Sequence, residues 1–321
     1  MQILDAAATA RALAWPPLIA AIETTIQDTK AGLVTSPPRM SLPLAADAVW
    51  LTMPAWSARA DIAACKLITV HPGNSQRGLP TIQGDIVVIR ASTGERLALL
   101  DGPTVTARRT AAATALAIRL IHQARRAAGA PPEGTGALSC LIIGCGVQGR
   151  SHLEVLHAVY PATQFFLHSR SVASAKKLAE HAAAEGISAR VVTSPQAVLP
   201  DVDIVVCCTP ATEVCLEQLP REGAIIAAIG SFRPEMSEIA PAVMRHIGRN
   251  ILLDTDDARH EAGELIQAGI AREGLPTLLT WNEELLPAIA QTVLFKSCGS
   301  ALWDLAAAQA AVLAAGRPGV S

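Results

Sequence analysis

A short apolar run, Leu138-Ser-Cys-Leu-Ile-Ile143, ends in Gly144-Cys-Gly146-Val-Gln-Gly149 and opens into a helix-like stretch, Arg150 to His157. A strand, a glycine turn and a helix start in that order make a pyrophosphate cradle. Gly144 permits the tight turn, Gly146 lets backbone approach the phosphates, and Gly149 lets helix and strand pack closely. The helix start adds free N–H groups and the positive end of its dipole. A GxGxxG run alone is weak. Here the strand before it and the helix after it supply the context for nucleotide binding.

The second strand of this unit falls at Gln164-Phe-Phe-Leu167, leading into His168-Ser-Arg-Ser171. An NAD site usually has an acid about twenty residues past the glycines, for the ribose 2′-hydroxyl. Between Gly149 and Glu180 the one acid is Glu154, inside the first helix. The strand tip offers Ser169, Arg170 and Ser171 instead, and a guanidinium with two hydroxyls suits a 2′-phosphate. The expected cofactor is NADPH, with NADH less favoured. The alternative is that Arg170 is an ordinary solvated loop charge.

At 321 residues the chain is long enough for two domains. Half its residues are hydrophobic, and the net charge of −2 gives no field for nucleic acid or an anionic membrane. Five Trp, one Tyr and four Phe leave the cores to Ala, Leu, Ile and Val. The seven cysteines form no CxxC pair, and with no signal peptide apparent they fit reduced thiols in a cytoplasm. No apolar run has transmembrane length, and the histidines lack metal spacing. Asp254, Asp256 and Asp257 read as a solvated loop run rather than a calcium site.

Residues 1–35 read as helical, with Pro16-Pro17 starting the main helix. Strands follow at 48–53, 62–70, 84–90 and 97–100, with a turn at Thr93-Gly94. An Ala-rich helix runs from Arg109 to Arg126, and Gly129 to Gly136 is a linker. Strands at 138–143, 164–168, 189–193, 203–208, 224–229 and 250–253 then alternate with helices. The fold class is α/β: a Rossmann-type, doubly wound parallel sheet plus a discontinuous α+β substrate and dimerisation domain. A last Ala-rich helix, 291–315, returns to the first domain, before a frayed tail around Pro318-Gly319. The expected boundaries are 1–118 with 292–321, and 119–291.

Three cations stand out in the first domain. Arg39 follows Pro37-Pro38 and has a stiff backbone. Lys66 lies mid-strand among apolar residues, so it either snorkels out or faces a polar pocket. Arg109 reads as a cation at a helix start, where it opposes the dipole.

With these residues the chain resembles the ornithine cyclodeaminase and mu-crystallin family. The matching pieces are Arg39, Met53-Pro-Ala55, Lys66 with His71-Pro-Gly-Asn74, Gly78 to Gly84, Thr93-Gly94 and Thr106 to Ala112. They continue with Gly144 to Gln148, Gly230 to Glu238, Phe295-Lys-Ser297 and Asp304. The resemblance implies that Arg39, Lys66 and Arg109 hold a substrate carboxylate and that Thr81 lines the cofactor end. It implies dinucleotide contacts at Gly146, Val147, Gln148, Ser169, Arg170, Ser171 and Thr209, besides the turn at Gly144. It leaves open whether Lys296 touches the cofactor or sits on a loop, whether Asp304 pairs with a pocket cation or faces solvent, and whether His71 is more than a turn residue. It also implies a homodimer.

Where ornithine cyclodeaminases carry a catalytic Asp, this sequence has Phe232, which cannot accept a proton. The resemblance therefore points to NADPH-dependent reduction of cyclic imino acids, Δ1-pyrroline-2-carboxylate to proline and Δ1-piperideine-2-carboxylate to pipecolate. Lys66 is the expected proton donor, with a bound water as the rival. The alternatives are an alanine dehydrogenase, an ornithine cyclodeaminase, or an NADPH-dependent small-ligand binding protein on the same scaffold.

Overall fold

The computed structural model describes residues 1–45, 47–129, 138–210, 213–282 and 290–316. The linker expected at 129–136, beyond Gly129, and the tail expected at Pro318-Gly319 lie outside the described residues. The chain divides into two compact units. One is Met1–Ala112 with the segment from Ser300 onward, and the other is Ala113–Gly299.

The first unit opens with β1 (Gln2–Leu4), α1 (Ala6–Ala12) and α2 (Trp15–Lys30). Asp5 caps α1 by accepting from the Ala8 amide at 2.8 Å, and a proline pair starts α2. There follow β2 (Val34–Thr35), β3 (Met40–Pro43), β4 (Val49–Ser57), β5 (Ile62–Val70), β6 (Ile82–Arg90) and β7 (Arg96–Asp101). β4 to β7 form an antiparallel meander; β1 adds in parallel beside β7, and β2 and β3 pair with β4. Gly94, with φ of 73°, makes the β6–β7 turn in the left-handed region that glycine adopts without strain.

Helix α3 (Gly102–Ala127) starts earlier than the sequence pattern implies. Arg109 therefore lies roughly two turns inside it rather than at its start. The dipole conflict inferred from the sequence does not exist; Arg109 is explained by its partner, described below.

The second unit holds seven parallel strands among the described residues: β8 (Ser139–Ile143), β9 (Gln164–His168), β10 (Ala189–Val191), β11 (Ile204–Cys207), β12 (Ile225–Ala228), β13 (Ile251–Leu253) and β14 (Val293–Lys296). Their order is β10-β9-β8-β11-β12-β14-β13, so the direction of winding reverses between β8 and β11. Such reversals are where open α/β sheets bind ligands. β11, β12, β13 and β14 are buried along their whole length, as a parallel sheet covered on both faces requires. Helices α4 (Val147–Val159), α5 (Val172–Ala184), α6 (Pro241–Ile247), α7 (Ala258–Glu261) and α8 (Gly263–Gln267) belong to this unit.

The single helix expected over 291–315 is corrected. Its first part is β14, whose short Val-Leu-Phe run favours a strand, and only α9 (Ala301–Ala314) is helical. Ser300 caps α9 by accepting from the Leu302 amide. Leu302, Trp303, Leu305 and most of the alanines of α9 are buried, so the helix is apolar nearly all round and serves as a core element of the first unit, packed against α2, β4 and β5. Replacing Leu305 by Ala should lower stability by about 2–5 kcal/mol. Urea unfolding would show it, and an unchanged midpoint would mean that α9 is not a core element.

Candidate active site

Strand β5 alternates strictly. Ile62, Ala64, Lys66 and Ile68 are buried, while Ala63, Cys65 and Leu67 between them are only half-buried on the opposite face. Lys66 thus shares the core face, and its ammonium cannot snorkel to water. It meets Asp304 from the first turn of α9, with Nζ 2.8 Å from Oδ2. Arg109 Nε donates to Oδ1 of the same carboxylate at 3.1 Å. The side chains of Lys66 and Asp304 are each 2% exposed, and that of Arg109 6%.

Burial pushes the Lys66 pKa down to about 8; Asp304 opposes the shift, and the charges of Arg109 and Arg39 reinforce it. Burial would raise the Asp304 pKa, but Lys66 and Arg109 hold it below the usual carboxylate range. Across the window from about 8 to the ordinary 10.5, the unfolded chain binds the Lys66 proton more tightly than the folded one. This group's contribution to stability therefore rises with pH through that window. Two buried cations on one carboxylate leave a positive excess suited to an anion. Arg39 is half-buried in the loop before β3, with its charge felt at Lys66. Thr81 is exposed just ahead of β6, where its carbonyl accepts from the His71 amide at 2.8 Å.

In the second unit the glycines act as their spacing implies. Gly144 has φ of 107°, and a Cβ there would lie 2.5 Å from the Cys208 carbonyl oxygen. A Cβ on Gly149 would lie 2.1 Å from the Gly144 carbonyl. A Cβ on Gly146 would meet nothing within 4 Å, and Gly146 caps α4 with no side-chain bond, so no capping side chain occupies the first amides of the helix. Val147 is exposed. Gln148 carries a buried Oε1 with no hydrogen-bond partner among the described residues, an acceptor that a nucleotide hydroxyl would satisfy. These features fit a dinucleotide.

His152 steadies the same turn. Burial lowers its pKa to about 4, so it is neutral. Its Nδ1–H donates to the Gln148 carbonyl at 2.8 Å, and Nε2 accepts from Thr114 Oγ1 at 3.0 Å.

Ser169 is half-buried and Arg170 exposed at the tip of β9. Ser171 Oγ caps α5 by accepting from the Ser174 amide at 3.3 Å, leaving its O–H free to donate. Arg170 Nη1 lies 3.3 Å from Glu213 Oε2. The local sequence has no acid for this position; the fold supplies one from the loop after β11.

At the ends of β11, β12 and β14 runs a buried polar brace whose pairings the sequence did not reveal. Glu238 Oε1 accepts from the Thr209 amide at 2.6 Å and the Thr209 hydroxyl at 2.8 Å, while Oε2 accepts from the Gly230 amide at 2.6 Å. One carboxylate thus ties the loops after β11 and β12. Burial raises its pKa. Glu264 accepts from the Glu238 amide and from Ser231 Oγ, and sits 3.3 Å from Lys296 Nζ. Lys296 also donates to the Ser231 carbonyl at 2.7 Å. It is fully buried at the end of β14, not on a loop. Burial opposes both charges, yet each holds the other ionised: the Glu264 pKa falls and the Lys296 pKa rises. Asp254 is likewise no solvated residue. It is buried and accepts from Ser297 Oγ and the Gly299 amide, each at 2.7 Å. Glu238 closes the family-like segment from Gly230, while the signal for Glu264 is a carboxylate set directly beside an apolar residue.

Phe232 is half-buried, with the Arg233 guanidinium 5.5 Å from its ring centroid. Among the described residues no group of three or more His, Cys, Asp or Glu could hold a metal ion. Among the described residues the seven cysteines form no disulfide, and no described helix is long and apolar enough to cross a membrane.

A parallel sheet with a glycine cradle at its winding reversal, joined to a mixed sheet built around a buried cationic cluster, defines a Rossmann-type dinucleotide-binding protein with a second α+β unit. The chain belongs to the ornithine cyclodeaminase/mu-crystallin family, whose model matches residues 2–312. A Δ1-pyrroline-2-carboxylate/Δ1-piperideine-2-carboxylate reductase of Azospirillum brasilense is 40% identical over 327 residues, covering 99% of this chain and 98% of its own. Δ1-Pyrroline-2-carboxylate reductase 1 of Burkholderia multivorans is 38% identical over 316 residues, covering 96% and 94%. The fold matches that of Thermococcus litoralis Δ1-pyrroline-2-carboxylate reductase in complex with NADH and L-proline, with a TM-score of 0.83 at 24% identity, covering 98% and 97% of the two chains.

Asp304→Asn would leave Lys66 and Arg109 buried without a counter-charge, at an expected cost of about 3–5 kcal/mol. A urea midpoint equal to that of the parent would show that the carboxylate does not hold them.

Proposed function

We propose that this chain is a nicotinamide-dependent reductase of cyclic imino acids, acting on Δ1-pyrroline-2-carboxylate and Δ1-piperideine-2-carboxylate. The observation that carries the reading is the buried pairing of Lys66 and Arg109 on the single carboxylate of Asp304. The surplus positive charge suits a small carboxylate, and the A. brasilense relative, matched along its whole length, is named for both substrates.

In this reading Arg39 and Arg109 hold the substrate carboxylate, with Lys66 beside them, and orient the ring. A reduced nicotinamide, when bound, supplies the hydride to the imine carbon. The imine nitrogen must then gain a proton. Lys66 Nζ donates it, and a pKa lowered to about 8 suits a proton donor working near neutral pH. Asp304 keeps the ammonium in place and compensates its charge. Phe232 stands where a cyclodeaminase has its Asp, so deamination of ornithine is not the reaction proposed.

The cofactor is held by Gly144, Gly146, Val147 and Gln148, with Thr81 and Thr209 as further contacts. Ser169, Arg170 and Ser171 receive the 2′-phosphate of NADPH, the favoured cofactor. The protein works as a cytoplasmic homodimer. The outer face of the first unit's sheet bears an apolar hollow of about 390 Å³, lined by Pro54, Trp56, Cys65 and Val87 among others, which a second copy would cover.

NADPH oxidation, followed by absorbance with each imine in parallel, tests the reading. Rapid loss with either imine is expected, and no loss with both would overturn it in favour of alanine turnover or pure ligand binding. Lys66→Met should abolish turnover and leave NADPH binding nearly intact. Because the protonated lysine is the donor, the wild-type rate should fall as pH rises through about 8; a flat profile would remove Lys66 from that role. Trp56→Glu should convert a dimer into a monomer in light scattering, and a parent that is already monomeric would end the dimer proposal.

A further inference from the structure

We propose that Glu213 sets the balance between NADPH and NADH, standing in for the 2′-phosphate on Arg170 and accepting from the 2′-hydroxyl when NADH binds. This rests on the cofactor reading above, which took the strand tip to be free of acids. The fold places the Glu213 carboxylate 3.3 Å from the guanidinium on which that reading depends. The two side chains are 69% and 72% exposed.

That exposure gives the pair its character. An ion pair in water is held weakly, because both charges remain solvated and screened. A phosphate monoester carries nearly two negative charges and three acceptor oxygens, and it engages a guanidinium in two parallel bonds. It can therefore take Arg170 from Glu213 at small cost. The displaced carboxylate remains close by, and its charge opposes the incoming phosphate. With NADH there is no phosphate to repel. The carboxylate is then the acceptor that a ribose 2′-hydroxyl requires, the role an acid at the strand tip usually fills. Arginine and glutamate thus favour opposite cofactors, one from the loop after β9 and the other from the loop after β11.

The experiment measures dissociation constants for NADPH and NADH by the fluorescence of the reduced nicotinamide, independent of any imine. It uses the full-length protein, Glu213→Gln, Arg170→Gln and the double variant. Glu213→Gln is expected to tighten NADPH and weaken NADH, moving their ratio by roughly threefold or more, the scale of an exposed charge pair. The change should shrink at high salt, where the Debye length falls to about 3 Å. In the Arg170→Gln background the gain for NADPH should shrink to the part due to direct repulsion. An unchanged ratio in Glu213→Gln, or a gain undiminished by the loss of Arg170, would overturn the proposal while leaving the cofactor reading intact. A parent protein that binds neither dinucleotide would overturn both.

Discussion

A single carboxylate compensates two cations that the fold has taken out of water. Burying an ammonium and a guanidinium costs several kcal/mol each unless a counter-charge and hydrogen bonds are supplied. In the first unit Asp304 supplies both. Its position follows from three separate facts: the alternation of β5 turns Lys66 inward, α3 carries Arg109, and α9 begins at Ser300 with Asp304 in its first turn. A carboxylate in the first turn of a helix is also favoured by the dipole. The cluster is polar, yet it sits within an otherwise apolar packing of α9 against the sheet.

The second unit solves a related problem by different means. Its strand ends must hold irregular loops at fixed positions, and irregular backbone leaves N–H groups unpaired. Glu238 accepts from four loop groups at once, while Glu264 and Lys296 neutralise each other below. Thr209 adjoins Cys208, against whose carbonyl Gly144 packs without room for a side chain. The brace is therefore continuous with the cradle, and a change in the brace would reach the Gly144–Gly149 turn through backbone.

Much of this was legible in the sequence because it is local. Runs separated by Pro and Gly turns mark the meander strands, and the 62–70 strand is found at those limits. The strand–GxGxxG–helix order marked the cradle. What escaped was long-range or ambiguous. Val293–Lys296 is too short to separate from the Ala-rich helix that follows, and only pairing with β12 and β13 declares it a strand. Arg109 reads as a helix start because the Ala-rich run begins only at Ala111, while the true first turns of α3, Gly102-Pro-Thr-Val-Thr106, look like a loop. Asp304 was visible as a family match, but its two partners are far away in the chain. Glu213 lies outside the window in which an acid is ordinarily sought.

The return of the chain to the first unit has a consequence for biosynthesis. Lys66 and Arg109 leave the ribosome long before Asp304, with the entire second unit translated between them. Until the α9 segment emerges, the first sheet lacks both the helix that covers its core face and the anion that permits its lysine to face inward. The second unit, continuous in sequence, has no such dependence. A nascent chain would thus have every described strand of its Rossmann half before α9 emerges to close the other half. A chain released just short of Ser300 would keep all seven described strands of the second unit, β14 included, attached to a first sheet with an exposed apolar face.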